Sequence, residues 1–135
     1  MTVANYCLLL ACLLPIVCAG IAKAGTFSTK PAEGGYDNRD PRAWLARQTG
    51  YRARANAAQA NSFEALPMFI ASVLVAQQAG ALQPWVDALA VVFVVLRLVY
   101  IALYVKDRAA WRSLTWIAGL GVCLAIFLLA AIGAR

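Results

Sequence analysis

From Val3 to Ala22 the chain contains no Asp, Glu, Lys or Arg. A helix needs roughly 20 apolar residues to cross the hydrocarbon core of a bilayer, and this run supplies them. Three more apolar stretches follow, at about 54–79, 85–104 and 111–134. Composition agrees: 63% of residues are hydrophobic, 13% are charged and the mean hydropathy is +0.71, whereas a soluble domain carries about 25% charged residues. The spacing predicts an all-α membrane protein, one domain over residues 1–135, with four transmembrane helices in an up-and-down bundle. No cation precedes the first apolar run, so a retained helix bent at Pro15 is expected rather than a cleaved leader.

The polar stretches set the topology. Residues 23–53 form one long loop with turn signals at Gly25, Pro31, Gly34, Gly35 and Pro41. Lys23, Lys30, Arg39, Arg42, Arg47, Arg52 and Arg54 lie in or beside that loop, and Lys106, Arg108 and Arg112 occupy the third connection. Gln77 to Asp87 has no Lys or Arg. The positive-inside rule makes the first and third connections cytoplasmic and puts both termini on the far side. Trp85, Trp111 and Trp116 near helix ends suit interfacial anchoring.

Several chemistries drop out. The absence of His removes a His-based metal site and a His general base. Cys7, Cys12, Cys18 and Cys123 sit in apolar runs at spacings of no zinc motif and read as buried small hydrophobes, so no metal is expected. The net charge of +6 points to anionic lipid or an anionic small ligand. No basic helix outside the apolar runs suits nucleic acid.

Glu64 and Arg97 stand inside apolar runs. An ionisable residue at the centre of a spanning helix costs about 2.5 to 3.5 kcal/mol on insertion scales, so it faces the bundle interior and has a partner. At 100° per residue Arg54, Asn61 and Glu64 share one side of the second helix, and Arg97, Tyr100 and Tyr104 share one face of the third. Counted from the same membrane surface, Glu64 and Arg97 lie about 15 Å deep, where they are expected to pair. Asn61, Tyr104 and Arg112 then lie nearer the cytoplasmic mouth, describing a pocket lined mainly by cations. Asn56 and Gln59 face the other side, with Phe63.

These residues also carry a family resemblance. The stretch from Arg54 through Asn61 and Glu64 to Pro67 resembles the second-helix Arg…Asn-x-x-Glu…Pro signature of the MAPEG family, the membrane-associated proteins of eicosanoid and glutathione metabolism. Arg97 and Tyr104 look like its third-helix Arg-x6-Tyr, and Arg112-Ser113 looks like the pair opening its fourth helix. The resemblance spans the chain and implies a homotrimer binding glutathione between subunits near the cytoplasmic side. It implies that Asn61 and Glu64 contact the tripeptide or fix neighbouring arginines and that Tyr104 holds the γ-glutamyl end. Arg112 and Ser113 would face the thiol, and Lys23 would meet a carboxylate. Arg54, Arg97 and Tyr100 complete the expected ligand set, the thiolate attacking a lipophilic electrophile. The chain departs from the better-known eukaryotic members at Ala57, where they carry Arg, at Gln59, where they carry His, and at Tyr100, where one synthase has His. Pro67 also follows Glu64 by three residues rather than four. These departures point to a divergent bacterial branch in the inner membrane. A non-catalytic membrane subunit keeping the fold, or a small-molecule carrier, is the alternative.

Overall fold

The computed structural model describes residues 1–133. Its long helices are α1 (Val3–Lys23), α3 (Gly50–Gln78), α4 (Gln83–Val105) and α5 (Ala109–Gly133), with the short α2 (Pro41–Ala46) in the first loop. Three of these, α1, α4 and α5, are long and apolar enough to cross a membrane. Although α3 has 29 residues, Arg52, Arg54, Asn56, Gln59, Asn61 and Glu64 crowd its first half. It begins at Gly50, before the expected start at Arg54, because polarity does not end a helix that has left the bilayer.

Each long helix buries one stripe at alternating steps of three and four residues. In α1 the stripe is Ala4, Cys7, Ala11, Leu14 and Cys18, in α4 Val86, Ala90, Phe93, Arg97 and Tyr100, and in α5 Gly119, Cys123, Ile126 and Ala130. Such a 3.5-residue repeat is the seam of a left-handed bundle, and its small side chains let backbones approach closely. At mid-bundle Phe69 and Phe93 stack with ring centres 3.9 Å apart. Both α3 and α4 pack on α1 and α5, which stand at opposite corners.

The two ends differ in chemistry. At one end Gln77 Nε2 donates to Thr2 Oγ1 at 2.9 Å and to Asn5 Oδ1 at 3.0 Å. Asp87 Oδ1 accepts from the Ala4 backbone N–H at 2.7 Å and from Gln83 Nε2 at 2.8 Å. The carboxylate of α4 thus caps an orphan amide of α1. At the other end Arg52 Nη2 donates to the Ala24 carbonyl at 3.1 Å and Arg54 Nε to the Val105 carbonyl at 3.0 Å.

Two helix ends close with left-handed caps. Gly80, at φ 72°, follows α3, where the Ala81 and Gly80 amides donate to the Ala76 and Gln77 carbonyls. Asp107, at φ 60°, plays the same part after α4, with the Arg108 and Asp107 amides on Leu103 and Tyr104. Both are Schellman motifs.

The long loop is ordered around aromatic side chains. Tyr36 meets Phe27 and Trp44 edge-on at 5.3 and 5.2 Å, and Trp44 is buried with Nε1 donating to the Gly34 carbonyl at 3.3 Å. Gly35 has no room for a Cβ, which would overlap the Thr29 backbone carbonyl.

Candidate functional site

The seam of α4 turns Arg97 inward between Phe93 and Tyr100, leaving it 4% exposed. Its Nη1 donates to Asn61 Oδ1 at 3.1 Å and its Nη2 to Ser62 Oγ at 3.1 Å. Asn61 Nδ2 in turn donates to Glu64 Oε2 at 3.2 Å. The expected Glu64–Arg97 pair is therefore corrected: among the described residues no salt bridge joins them, and the Asn61 amide stands between. The cause is helical phase. Ser62 lies on the α3 seam and Glu64 lies 200° around the helix from it. Arg97 reaches the seam, whereas Glu64 is exposed.

Two cavities flank this relay. The first, about 320 Å³, lies between α3, α4 and α5 and is lined by Asn61, Glu64, Ala65, Met68, Phe93, Arg97, Trp116, Gly119, Leu120 and Cys123. The second, about 280 Å³, opens toward the basic end and is lined by Tyr100, Tyr104, Arg112, Ser113, Trp116 and Ile117. Trp116 is a wall of both, so it does more than anchor an interface.

A ladder of cations and rings joins the cavities. The Arg112 guanidinium lies 4.3 Å from the Tyr104 ring centre, Tyr104 meets Tyr100 edge-on at 5.6 Å, and Arg97 lies 4.2 Å from the Tyr100 ring. Arg97 and Tyr100 are both buried, and a desolvated cation–π contact of this kind is worth about 2 kcal/mol. The i, i+3, i+7 spacing of Arg97, Tyr100 and Tyr104 places these side chains in one column. Ser113 lines the second cavity, its Oγ donating to the Ala109 carbonyl at 3.2 Å.

Lys23 and Arg54 join neither cavity. Lys23 Nζ donates to Tyr36 Oη at 3.0 Å, and Arg54 caps α4, its Nη1 3.9 Å from the exposed Asp107. The expectation of one pocket lined mainly by cations is corrected accordingly: each cavity has a single Arg on its wall. Helical phase locates a side chain's direction, but Arg54 finds a carbonyl before it can reach a cavity.

Ser62 and Trp116 stand at the site without being among the residues the sequence pattern points to. The α3 seam of Ala55, Ala58, Ser62 and Phe69 was the signal for Ser62. Trp116 follows Arg112 by one turn and so shares its face. Of the cysteines, Cys7, Cys18 and Cys123 are buried as expected, while Cys12 is exposed on the outer side of α1. Cys123 also reaches the first cavity.

The model of the MAPEG family matches residues 3–132, nearly the whole chain. No curated protein and no solved structure matches.

Proposed function

For a chain that belongs to the MAPEG family, we propose that it binds glutathione in the cavity at the basic end and transfers or oxidises its thiol against a lipophilic electrophile. The observation carrying this reading is the convergence of Tyr100, Tyr104, Arg112 and Ser113 on one cavity, with Arg112 braced on Tyr104. A free thiol has a pKa of about 8.5, and an adjacent guanidinium lowers it. Arg112 at the sulfur raises the thiolate fraction at neutral pH, and the released proton leaves through the open mouth. The thiolate sulfur then gives its electron pair to the electrophilic carbon, and the C–S bond forms as a leaving group departs with its pair or, in a conjugate addition, as the π pair moves to the far atom and takes a proton from water.

Glutathione carries two carboxylates and this cavity one cation, so the site reads as completed by a neighbouring copy. The second cation would come from that copy's basic end, where Lys23, Arg52, Arg54, Lys106 and Arg108 lie. The oligomer we infer is a trimer in which α3, too polar along its first half to face lipid, is the fourth spanning helix and is covered by protein. The basic end is cytoplasmic, both termini lie outside, and the membrane is the inner membrane of a bacterium. Asn61 acts by fixing Arg97, with Glu64 behind it.

A second reading, a non-catalytic membrane subunit or scaffold, is favoured by Ala57, where the better-known eukaryotic members carry a further Arg. Calorimetric titration of the detergent-purified protein with glutathione separates the two. Saturable binding that is lost in Arg112→Ala supports the transferase. Silence at millimolar glutathione overturns it.

A further inference from the structure

We propose that the loop of residues 24–49 and the α4–α5 connection together form a cationic pad that gathers anionic phospholipid headgroups from the leaflet around the basic end. The pad is separate from both cavities, and its binding does not depend on the glutathione reading.

Charge is concentrated at that end. Residues 23–54 and 106–112 hold ten Lys and Arg against four Asp and Glu. Some of these cations are engaged inside the fold: Lys23 on Tyr36, Arg52 and Arg54 on the Ala24 and Val105 carbonyls, and Arg112 on the Tyr104 ring. Lys30, Arg39, Arg42, Arg47, Lys106 and Arg108 are exposed. Among the described residues none of these six forms a salt bridge.

The fold of the loop keeps them free. Asp37 Oδ1 accepts from the Arg39 backbone N–H at 2.9 Å, and Asp40 Oδ1 accepts from the Ala43 backbone N–H at 3.2 Å. The nearest carboxylates thus serve amides rather than guanidinium groups. On α2, Arg42 lies about 200° around the helix from the buried Trp44, so seating the indole turns this arginine outward.

Two rings identify the anion as a lipid. Phe27, 69% exposed, follows the end of α1 by one short turn, and Trp111, 64% exposed, lies in the first turn of α5. Both helices are long and apolar enough to cross a membrane, so the rings stand where the chain leaves the hydrocarbon. A soluble polyanion would reach the cations from the water and leave both rings bare. A headgroup layer takes in the rings and brings phosphate to the neighbouring Lys30 and Arg108. Each Lys or Arg close to an anionic leaflet favours it about fivefold.

The test places the whole protein in vesicles of phosphatidylcholine and phosphatidylglycerol, with brominated acyl chains on one lipid and then on the other. Tryptophan quenching by each lipid gives their ratio at the protein surface, Trp111 and Trp116 reporting from the basic end. We expect phosphatidylglycerol to be preferred about fivefold at low salt. The preference should fall toward one when all six exposed cations are changed to Gln, and also for the native protein at about 1 M salt, where the Debye length is about 3 Å. The salt arm decides the matter if the six-site variant unfolds. Phe27→Trp locates the pad: its added emission should be quenched by a lipid with a nitroxide on the headgroup and little by aqueous acrylamide. A ratio near one in the native protein, or a preference that persists at high salt and in the folded six-site variant, overturns the proposal. So does quenching of the added indole by acrylamide alone, which would turn the pad toward a soluble acidic partner. A glutathione titration of the same vesicles is scored separately, and its failure leaves the lipid ratio standing.

Discussion

Arg97 Nη1 donates to the Asn61 side-chain carbonyl at 3.1 Å, and that one contact orients the amide. With its oxygen taken by the guanidinium, Asn61 must turn its NH₂ toward Glu64. The charge of α4 is therefore coupled to α3 through a neutral group. Removing Asn61 leaves a buried charge short of a partner, which costs about 2 to 3 kcal/mol. We expect Asn61→Ala to lose that much in denaturant titrations in detergent. Glu64→Gln, an exposed change, should stay within about 0.5 kcal/mol. In double-mutant cycles Arg97→Met should couple strongly to Asn61→Ala and weakly to Glu64→Gln. A larger coupling to Glu64 would restore the direct ion pair.

The two left-handed caps give opposite expectations. At Gly80 a side chain must adopt φ 72°, so Gly80→Ala should destabilise by about 1 kcal/mol. Asp107 already bears that strain, and its contact with Arg54 is long and exposed, worth little. Asp107→Gly should therefore raise the thermal midpoint. A midpoint lowered by Asp107→Gly would show that the Arg54 contact outweighs the backbone term.

Gly35 is set against the Thr29 carbonyl with no space for a methyl group. Gly35→Ala must displace the turn that positions Tyr36, and with it the edge-on contacts to Phe27 and Trp44. Limited proteolysis should cut the loop between residues 24 and 49 faster in the variant, while the long helices remain protected. Equal cleavage rates would mean that the turn relaxes without disturbing the aromatic cluster.

At the other end, Asp87→Ala removes the acceptor of both the Ala4 amide and Gln83. A buried backbone donor left unpaired costs about 1 to 3 kcal/mol. Hydrogen exchange should rise at the first turn of α1 in this variant and not at its last. Unchanged exchange at Ala4 would show that another group takes over.

Much of this architecture is legible in the sequence. The apolar runs gave the helices because a bilayer leaves the backbone no other partner, and Arg97, Tyr100 and Tyr104 fell on one face because their spacing is helical. Phase failed where side chains compete for partners. It placed Arg54 beside Asn61 but could not show that the Val105 carbonyl would claim the guanidinium. It placed Glu64 level with Arg97 but not 200° from the seam that Arg97 fills. Asp107 in a left-handed cap was hidden for another reason, since Lys106-Asp107-Arg108 reads as a charged turn and nothing in those residue types demands a positive φ. Trp116 has the residue type of an interfacial aromatic, but its register with Arg112 is what locates it at the cavities.

The Asp87 clasp also orders events during biosynthesis. The first helix is made before residue 87, so at that stage Thr2 can hold the Asn5 amide but the Ala4 amide has no side chain to accept it. The final grip on that end arrives with the third long helix, which brings the carboxylate to it. Until then the amino-terminal segment is a tenant of the bilayer rather than a member of the bundle, and chains arrested before α4 should leave it open to alternative partners.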